Sequence, residues 1–356
     1  MNDGINLFNK SISDSLIMNK KYLFRHPSYL AAFSKIIRNI KKQNEKRAAL
    51  ADNEGLIVPP ILILSVTNSC NLNCVNCYAC GQKRDQSSEI SIDDIHRVVN
   101  EAIELGVSMI LIAGGEPLMK QGILEIPKMH TDTLFVLFTN GLLMDSTIQS
   151  EIKHTKNLIP VISIEGDMET TDTRRGKGMY QSIIDKMSEL AQKDIMFGSS
   201  ITLTSENYDS VINSGYLEWL EGSGCAASFL IEYVPQSEND PLVLEPEQKL
   251  DLAQQEIKLS EKHDMLVIAL PGDEEKYGGC LAAGRGFLHI SSEGSLEACP
   301  FAPYSDTNIK NMPLKQALKS KLMSDIRSNH SELTEARGGC ALNENREWVQ
   351  SLMSKK

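Results

Sequence analysis

The residues best able to do chemistry in this chain are cysteines, four of which fall within residues 70–80, CNLNCVNCYAC. Cys70, Cys74 and Cys77 follow the spacing C-x3-C-x2-C, and Cys80 makes a second C-x2-C with Cys77. Such a group could form disulfides, a zinc knuckle, a redox pair or the cradle of something larger. A structural zinc site usually offers two C-x2-C pairs that make four ligands. Here the first gap is three and the set is naturally three. Three thiolates on a short loop hold three irons of a cubane iron–sulfur cluster and leave the fourth open, which is a place for chemistry. A fourth thiolate would close that place, so Cys80 is expected to be a bystander. Cys280, Cys299 and Cys340 lie toward the C-terminus, and Cys225, in GSGCAASF, reads as a small buried residue.

The composition fits an acidic enzyme. The 356 residues are 41% hydrophobic and carry a net charge of −11, which argues against a nucleic-acid binder because phosphate contacts need a basic surface. The N-terminus scatters polar residues through its few apolar ones and lacks the uninterrupted core of a signal peptide. No run approaches the length of a membrane-spanning helix. The expectation is a cytoplasmic protein in a reducing compartment, its cysteines free thiols or metal ligands.

The elements that must position the thiols follow from the hydrophobic pattern. Residues 27–48 predict an amphipathic helix, with Tyr29, Leu30, Phe33, Ile36, Ile37 and Ile40 on one face and Lys35, Arg38, Lys41, Lys42, Lys46 and Arg47 mostly elsewhere. Its apolar face is expected to dock on the protein's own body, membrane-surface or lipid contact being the lesser alternative. From residue 60, apolar runs at 61–66, 108–113, 133–139, 161–166, 199–204 and 228–234 alternate with helical segments. One of these helices starts at an N-cap Ser91 and stops at Gly106. Alternation of this kind means a parallel sheet covered by helices, and six units predict an α/β fold with a partial (β/α)6 barrel. A further helix over 245–264 and the run 265–271 follow. The pattern then breaks into a cysteine-bearing loop, a hairpin turning at SSEGS and a second cysteine before a proline. The expected organisation is an N-terminal helical extension (1–55), the partial barrel (56–268) and a small cysteine-bearing module (269–356).

With C-x3-C-x2-C on the loop after the first strand, the sequence resembles the radical S-adenosylmethionine superfamily. The second strand runs into Gly114, Gly115, Glu116 and Pro117, the GGEP that follows the second strand in that family. The residue before the third cysteine, often aromatic there, is Asn76 here. The resemblance implies a 4Fe-4S cluster held by Cys70, Cys74 and Cys77. It implies S-adenosylmethionine chelated to the open iron and cleaved by one electron to methionine and a 5'-deoxyadenosyl radical, with a flavodoxin- or ferredoxin-type electron donor. It also implies cofactor contacts from Gly114, Gly115 and Glu116. FTNG (138–141) and SIEG (163–166) are similar to family segments that touch the cofactor, which extends the expectation to Thr139, Asn140, Ser163 and Glu165. TDTRRGKG (171–178) is similar to another family segment, in which Asp172 and Arg175 are expected to pair and shape a loop.

The C-terminal GGCLAAGRGFLHISSEGSLEACP is similar to the opening of SPASM or twitch auxiliary-cluster domains. That likeness implies that Cys280, Cys299 and Cys340 hold one auxiliary cluster, a second 4Fe-4S, whose fourth ligand is undetermined, with His289 one candidate; a zinc held by three cysteines and a histidine is the alternative. The resulting expectation is an oxidoreductase of the radical S-adenosylmethionine class acting on a peptide, a cofactor or tetrapyrrole precursor, or a lipid. The rival is a non-catalytic iron–sulfur electron carrier or redox sensor, which would need neither GGEP nor SIEG.

Overall fold

A computed structural model describes residues 23, 26–235, 237, 239–270, 279–330, 333 and 340–354. The first 22 residues, which the N-terminal reading concerned, lie outside the described residues. Strands β1 (Ile61–Ser65), β2 (Met109–Ala113), β3 (Leu134–Thr139), β4 (Leu158–Ser163), β5 (Gly198–Leu203), β6 (Ala227–Glu232) and β7 (Leu266–Leu270) each pair in parallel with the next. Together they form a partial barrel. The sheet exceeds the six expected units in two places. The run at 265–271, taken as the end of the pattern, supplies β7. The hairpin of the C-terminal module, β8 (Phe287–Ile290) and β9 (Leu296–Glu297), joins the same sheet at its other side, β8 lying parallel to β1. An unpaired edge leaves backbone donors and acceptors without partners, and β8 supplies them along β1.

Strands β2 to β5 are largely buried on both faces, which explains their nearly continuous apolar character, whereas β6 and β7 alternate buried and partly exposed residues. Leu62, Leu64, Ile110, Ile112, Phe135, Leu137 and Ile162 face the core shared with the surrounding helices. One of these is the helix Ile92–Leu105, which starts at a reciprocal Ser91–Asp94 capping box and ends on Gly106 in the left-handed region at φ 111°. The alternate residues Leu111, Leu134, Val136, Ile159 and Val161 pack with Tyr29, Phe33, Ile36 and Ile40.

Those aromatic and aliphatic side chains belong to a turn at Pro27–Tyr29 and the helix Leu30–Glu54, which runs six residues further than the sequence predicts. Its contacts place it across the N-terminal ends of the strands. The Met196 N–H donates to Tyr29 Oη at 3.0 Å, Asn39 donates to the Asp132 carbonyl at 3.0 Å, and Arg47 donates to the Gly106 carbonyl. These acceptors and donors precede β5, β3 and β2. The apolar face therefore docks on the body, while Lys35, Arg38, Lys41, Lys42 and Lys46 face solvent. Arg47 departs from the expected basic face: it is only 5% exposed, and burial lowers its pKa to about 10. No helix among the described residues is long and apolar enough to cross a membrane.

Candidate functional site

The first three cysteines stand on the loop leaving the C-terminal end of β1, and the segment after β2 clamps that loop. Gly115 N–H donates to the Thr67 carbonyl at 2.7 Å, and Glu116 N–H donates to the Ser69 carbonyl at 2.8 Å. The glycines are required by this contact. A Cβ on Gly114, whose φ is 132°, would stand 2.4 Å from Thr67 O, and one on Gly115 would stand 2.3 Å from Ser69 O. The resemblance assigns these glycines to cofactor contact, and the structure shows a further demand on them. They let one main chain press on another, which fixes where the thiols begin.

Glu116 is buried at 1% exposure. Its carboxylate accepts from Thr139 Oγ1 at 2.8 Å, Asn140 N at 2.8 Å and Leu118 N at 3.1 Å. Burial raises its pKa, and these hydrogen bonds pull the other way. A carboxylate has about four acceptor positions, and these three hydrogen bonds leave one of them. Asn140 reaches the thiol loop directly: its amide donates to Asn71 Oδ1 at 2.7 Å and lies 4.0 Å from Cys70 Sγ. Glu116, Thr139 and Asn140 therefore form one connected unit under the loop.

Ser163 ends β4 and Glu165 follows two residues on. Ser163 Oγ lies 3.2 Å from Ser200 Oγ. Glu165, also 1% exposed, is held by Arg174 at 2.9 Å and Arg175 at 2.5 Å, and accepts from Thr202 N at 3.2 Å. The expected Asp172–Arg175 pair is not formed. Asp172 accepts from the Gly178 and Tyr180 amides at 2.7 and 2.8 Å, while Arg175 turns inward to the buried carboxylate. The helix Met168–Arg175 also touches the thiol loop, where Val75 N–H donates to Arg174 O at 2.8 Å.

The thiols Cys70, Cys74 and Cys77 are half-buried and sense one another electrostatically. Burial raises the pKa of Cys70 and Cys74; Arg175 and Arg174 oppose it at Cys74, and a Leu72 amide 3.4 Å from Cys70 Sγ opposes it there. Among the described residues, no three such side chains converge tightly enough for a single metal ion. Thiolates that each bind a separate iron stand apart by the width of the cluster, and a loop carrying three mutually sensing thiols beside two arginines fits that larger anionic group.

The second set comes together from three separate segments. Cys280, Cys299 and Cys340 are all buried. Cys299 shares a hydrogen bond with Cys340, which together with burial raises its pKa far above the ordinary range, and Cys280 adds to the effect. His289 is otherwise engaged. Its Nδ1 lies 2.8 Å from Glu297 and its Nε2 lies 2.8 Å from Ser65 Oγ. It does not stand free as a fourth ligand.

Sequence reasoning missed the bridge between the two sets. Tyr78, next to Cys77, packs edge-on against Phe301, two residues past Cys299, with ring centroids 4.9 Å apart. Gln82 donates to Pro300 O at 2.6 Å, and Arg84 grips Glu297 through both carboxylate oxygens at 2.8 Å. The adjacency of Cys77 and Tyr78 was a local signal; the partners more than 200 residues away carried none.

The fold and this thiol loop define the class. Residues 64–214 match the family model described as the Radical SAM superfamily, so this part of the chain is a radical S-adenosylmethionine domain, of the kind that takes a 4Fe-4S cluster and S-adenosylmethionine as cofactors. It is 23% identical to the AdoMet-dependent heme synthase of Methanosarcina barkeri (strain Fusaro / DSM 804) over 313 residues, which cover 80% of this chain and 88% of that protein. It is 27% identical to the mycofactocin maturase MftC of Mycolicibacterium smegmatis (strain ATCC 700084 / mc(2)155), with 44% of this chain and 41% of that one covered. Streptococcus suis SuiB, solved bound to S-adenosylmethionine, superposes with a TM-score of 0.64 at 15% identity, over 82% of this chain and 72% of that one, a likeness of fold.

Proposed function

We propose that Cys70, Cys74 and Cys77 hold the cluster and that Gly114, Gly115, Glu116, Thr139, Asn140, Ser163 and Glu165 form the bed on which S-adenosylmethionine lies. The observation that carries this reading is the main-chain clamp between GGEP and the thiol loop. With both cofactors bound, the site supplies a 5'-deoxyadenosyl radical able to take hydrogen from an unactivated C–H bond. The chain's own residues bind and orient. The free acceptor position on Glu116 suits the methionine ammonium group, and Asn140 sets the loop beside it. The Arg174–Arg175–Glu165 cluster fixes the loop's far side and places positive charge near Cys74. The electron enters from a flavodoxin- or ferredoxin-type donor.

Cys280, Cys299 and Cys340 would hold the second cluster of a C-terminal domain (269–356) of SPASM or twitch type. They are buried, mutually sensing thiols that suit the same chemistry. For the substrate we favour a tetrapyrrole precursor over a peptide or a lipid. A relative covered over most of its own length is named for heme synthesis, whereas the match to a mycofactocin maturase covers less than half of either chain. The accessible inner side of the later strands agrees with a large apolar ligand: Phe229, Ile231, Ile268 and Leu270 are half-exposed there.

The test is anaerobic turnover of S-adenosylmethionine with dithionite, alone and with a panel of iron tetrapyrroles and peptides. Formation of 5'-deoxyadenosine that is lost when Cys70, Cys74 and Cys77 are together replaced by Ala supports the site. Undiminished product from that triple variant overturns it.

A further inference from the structure

The helix Leu30–Glu54 closes the barrel with one face and turns the other to solvent. At about 100° per residue, Lys35, Arg38, Lys42 and Lys46 fall within an arc of roughly 80° that points away from the buried Phe33, Ile36 and Ile40, and Lys41 stands at its edge. All five cations are exposed, and Glu45 is the one acidic residue in the stretch 35–46. Lys35 donates to Thr131 Oγ1 and Arg38 to the Ser34 carbonyl at 3.2 Å; among the described residues none of the five forms an ion pair. In a chain whose net charge is −11, this is a local reversal of sign. Large apolar side chains stand beside it. Leu30, on the same helix, is 41% exposed, and Met129, two residues from the Thr131 that Lys35 meets, is 62% exposed.

We propose that this face is a docking surface for an anionic lipid bilayer. The lysine and arginine head groups meet the lipid phosphates while their stems lie along the surface, and Leu30 and Met129 enter the headgroup layer between them. From Leu30 to Lys46 the helix is about 24 Å long, which suits a helix lying on the surface. Toward its C-terminal end the stripe gives way to Asp52 and Glu54, the latter paired with Lys315 at 2.9 Å, and the footprint stops there. Other anionic partners fit less well. An acidic electron donor has to approach the thiols, and this helix crosses the opposite end of the barrel, at the N-terminal ends of the strands. Single-stranded nucleic acid is held by stacking bases on aromatic side chains, and Phe33, the helix's one aromatic residue, is buried. Docked through this face, the protein would hold its thiol end away from the bilayer, toward the aqueous phase.

The experiment is sedimentation of the full-length holoprotein with vesicles of phosphatidylcholine alone and of phosphatidylcholine mixed with phosphatidylglycerol, at low and at high salt. Binding is expected to the anionic vesicles only, and it should fall as salt screens the charges. A lysine near an anionic surface contributes about fivefold in affinity, so replacing Lys41, Lys42 and Lys46 together by Gln should weaken binding about a hundredfold. Those side chains are exposed, so the melting temperature and iron content of the triple variant should match wild type. Leu30→Ser combined with Met129→Ser should weaken binding while leaving its salt dependence unchanged. Absence of binding, equal binding to neutral and anionic vesicles, or a triple variant that binds like wild type overturns the proposal. So does a single-stranded RNA that binds at least as tightly as the anionic vesicles and loses that affinity in the triple variant, because the face would then serve nucleic acid. The readout is binding and not turnover, so it stands apart from the assignment of the cluster ligands.

Discussion

Gly115→Ala is a small change with a large expected effect, because the added methyl has nowhere to go. Its carbon would lie 2.3 Å from Ser69 O, 2.7 Å from Ser69 C and 2.8 Å from Asn68 O. All three are backbone atoms, so no rotamer change relieves the clash. The thiol loop or the GGEP segment must move, which strains the Gly115–Thr67 and Glu116–Ser69 hydrogen bonds at 2.7 and 2.8 Å. Overpacking costs about 1–3 kcal/mol, and weakening two hydrogen bonds adds about 0.5–1.5 kcal/mol each. Because the terms overlap, about 3 kcal/mol is the working figure, or a fall in Tm of about 4 °C for a chain of this length. The metal-free chain should show this loss in a thermal melt, and the reconstituted chain should retain less iron and bind S-adenosylmethionine more weakly. Gly222→Ala is the control, since nothing lies within 4 Å of a Cβ there. A Gly115→Ala protein that melts, binds iron and binds S-adenosylmethionine like wild type would refute the clamp.

Three further outcomes are expected. Glu165→Gln leaves Arg174 and Arg175 facing a neutral group in a buried site, which should cost about 3 kcal/mol in a denaturant titration and lower iron retention; a cost near zero would mean that the cluster of charges is incidental. Replacing Cys280, Cys299 and Cys340 together by Ala should reduce iron from about eight to about four per chain while sparing uncoupled S-adenosylmethionine cleavage, as read by iron analysis and 5'-deoxyadenosine formation; a wild type holding about four irons and one zinc contradicts the second cluster. Asp172 has its pKa lowered by the Tyr180 and Gly178 amides, so its contribution to stability is present above the ordinary aspartate pKa and is lost as pH falls through the lower folded value. Asp172→Asn should therefore flatten that part of the acid limb of a stability–pH curve and leave the neutral region little changed in slope.

What was legible in the sequence was local. The C-x3-C-x2-C spacing, the GGEP segment after β2 and the Ser91 cap each sit within a few residues, and each stands in the structure where its pattern placed it. The reason for Gly114 and Gly115 was harder, because the atoms they avoid belong to Thr67 and Ser69, more than forty residues earlier. Asp172 and Arg175 looked like partners because they are close in sequence on one helix. The arginine instead follows the buried charge of Glu165, whose desolvation would be costly without it. Strand β8 has four residues, too few for a periodic signal, and only its pairing with β1 reveals that the C-terminal hairpin extends the barrel sheet. The Arg84–Glu297–His289–Ser65 chain of contacts joins segments more than 200 residues apart and had no signature.

The helix Leu30–Glu54 turns the barrel into a vessel with a floor. Tyr29, Phe33, Ile36 and Ile40 fill the end away from the thiols, so among the described residues the open side is the one where the cysteine loop and GGEP stand. That helix closes one end of the barrel, so the side chains that fill it set how far the interior reaches from the thiol end.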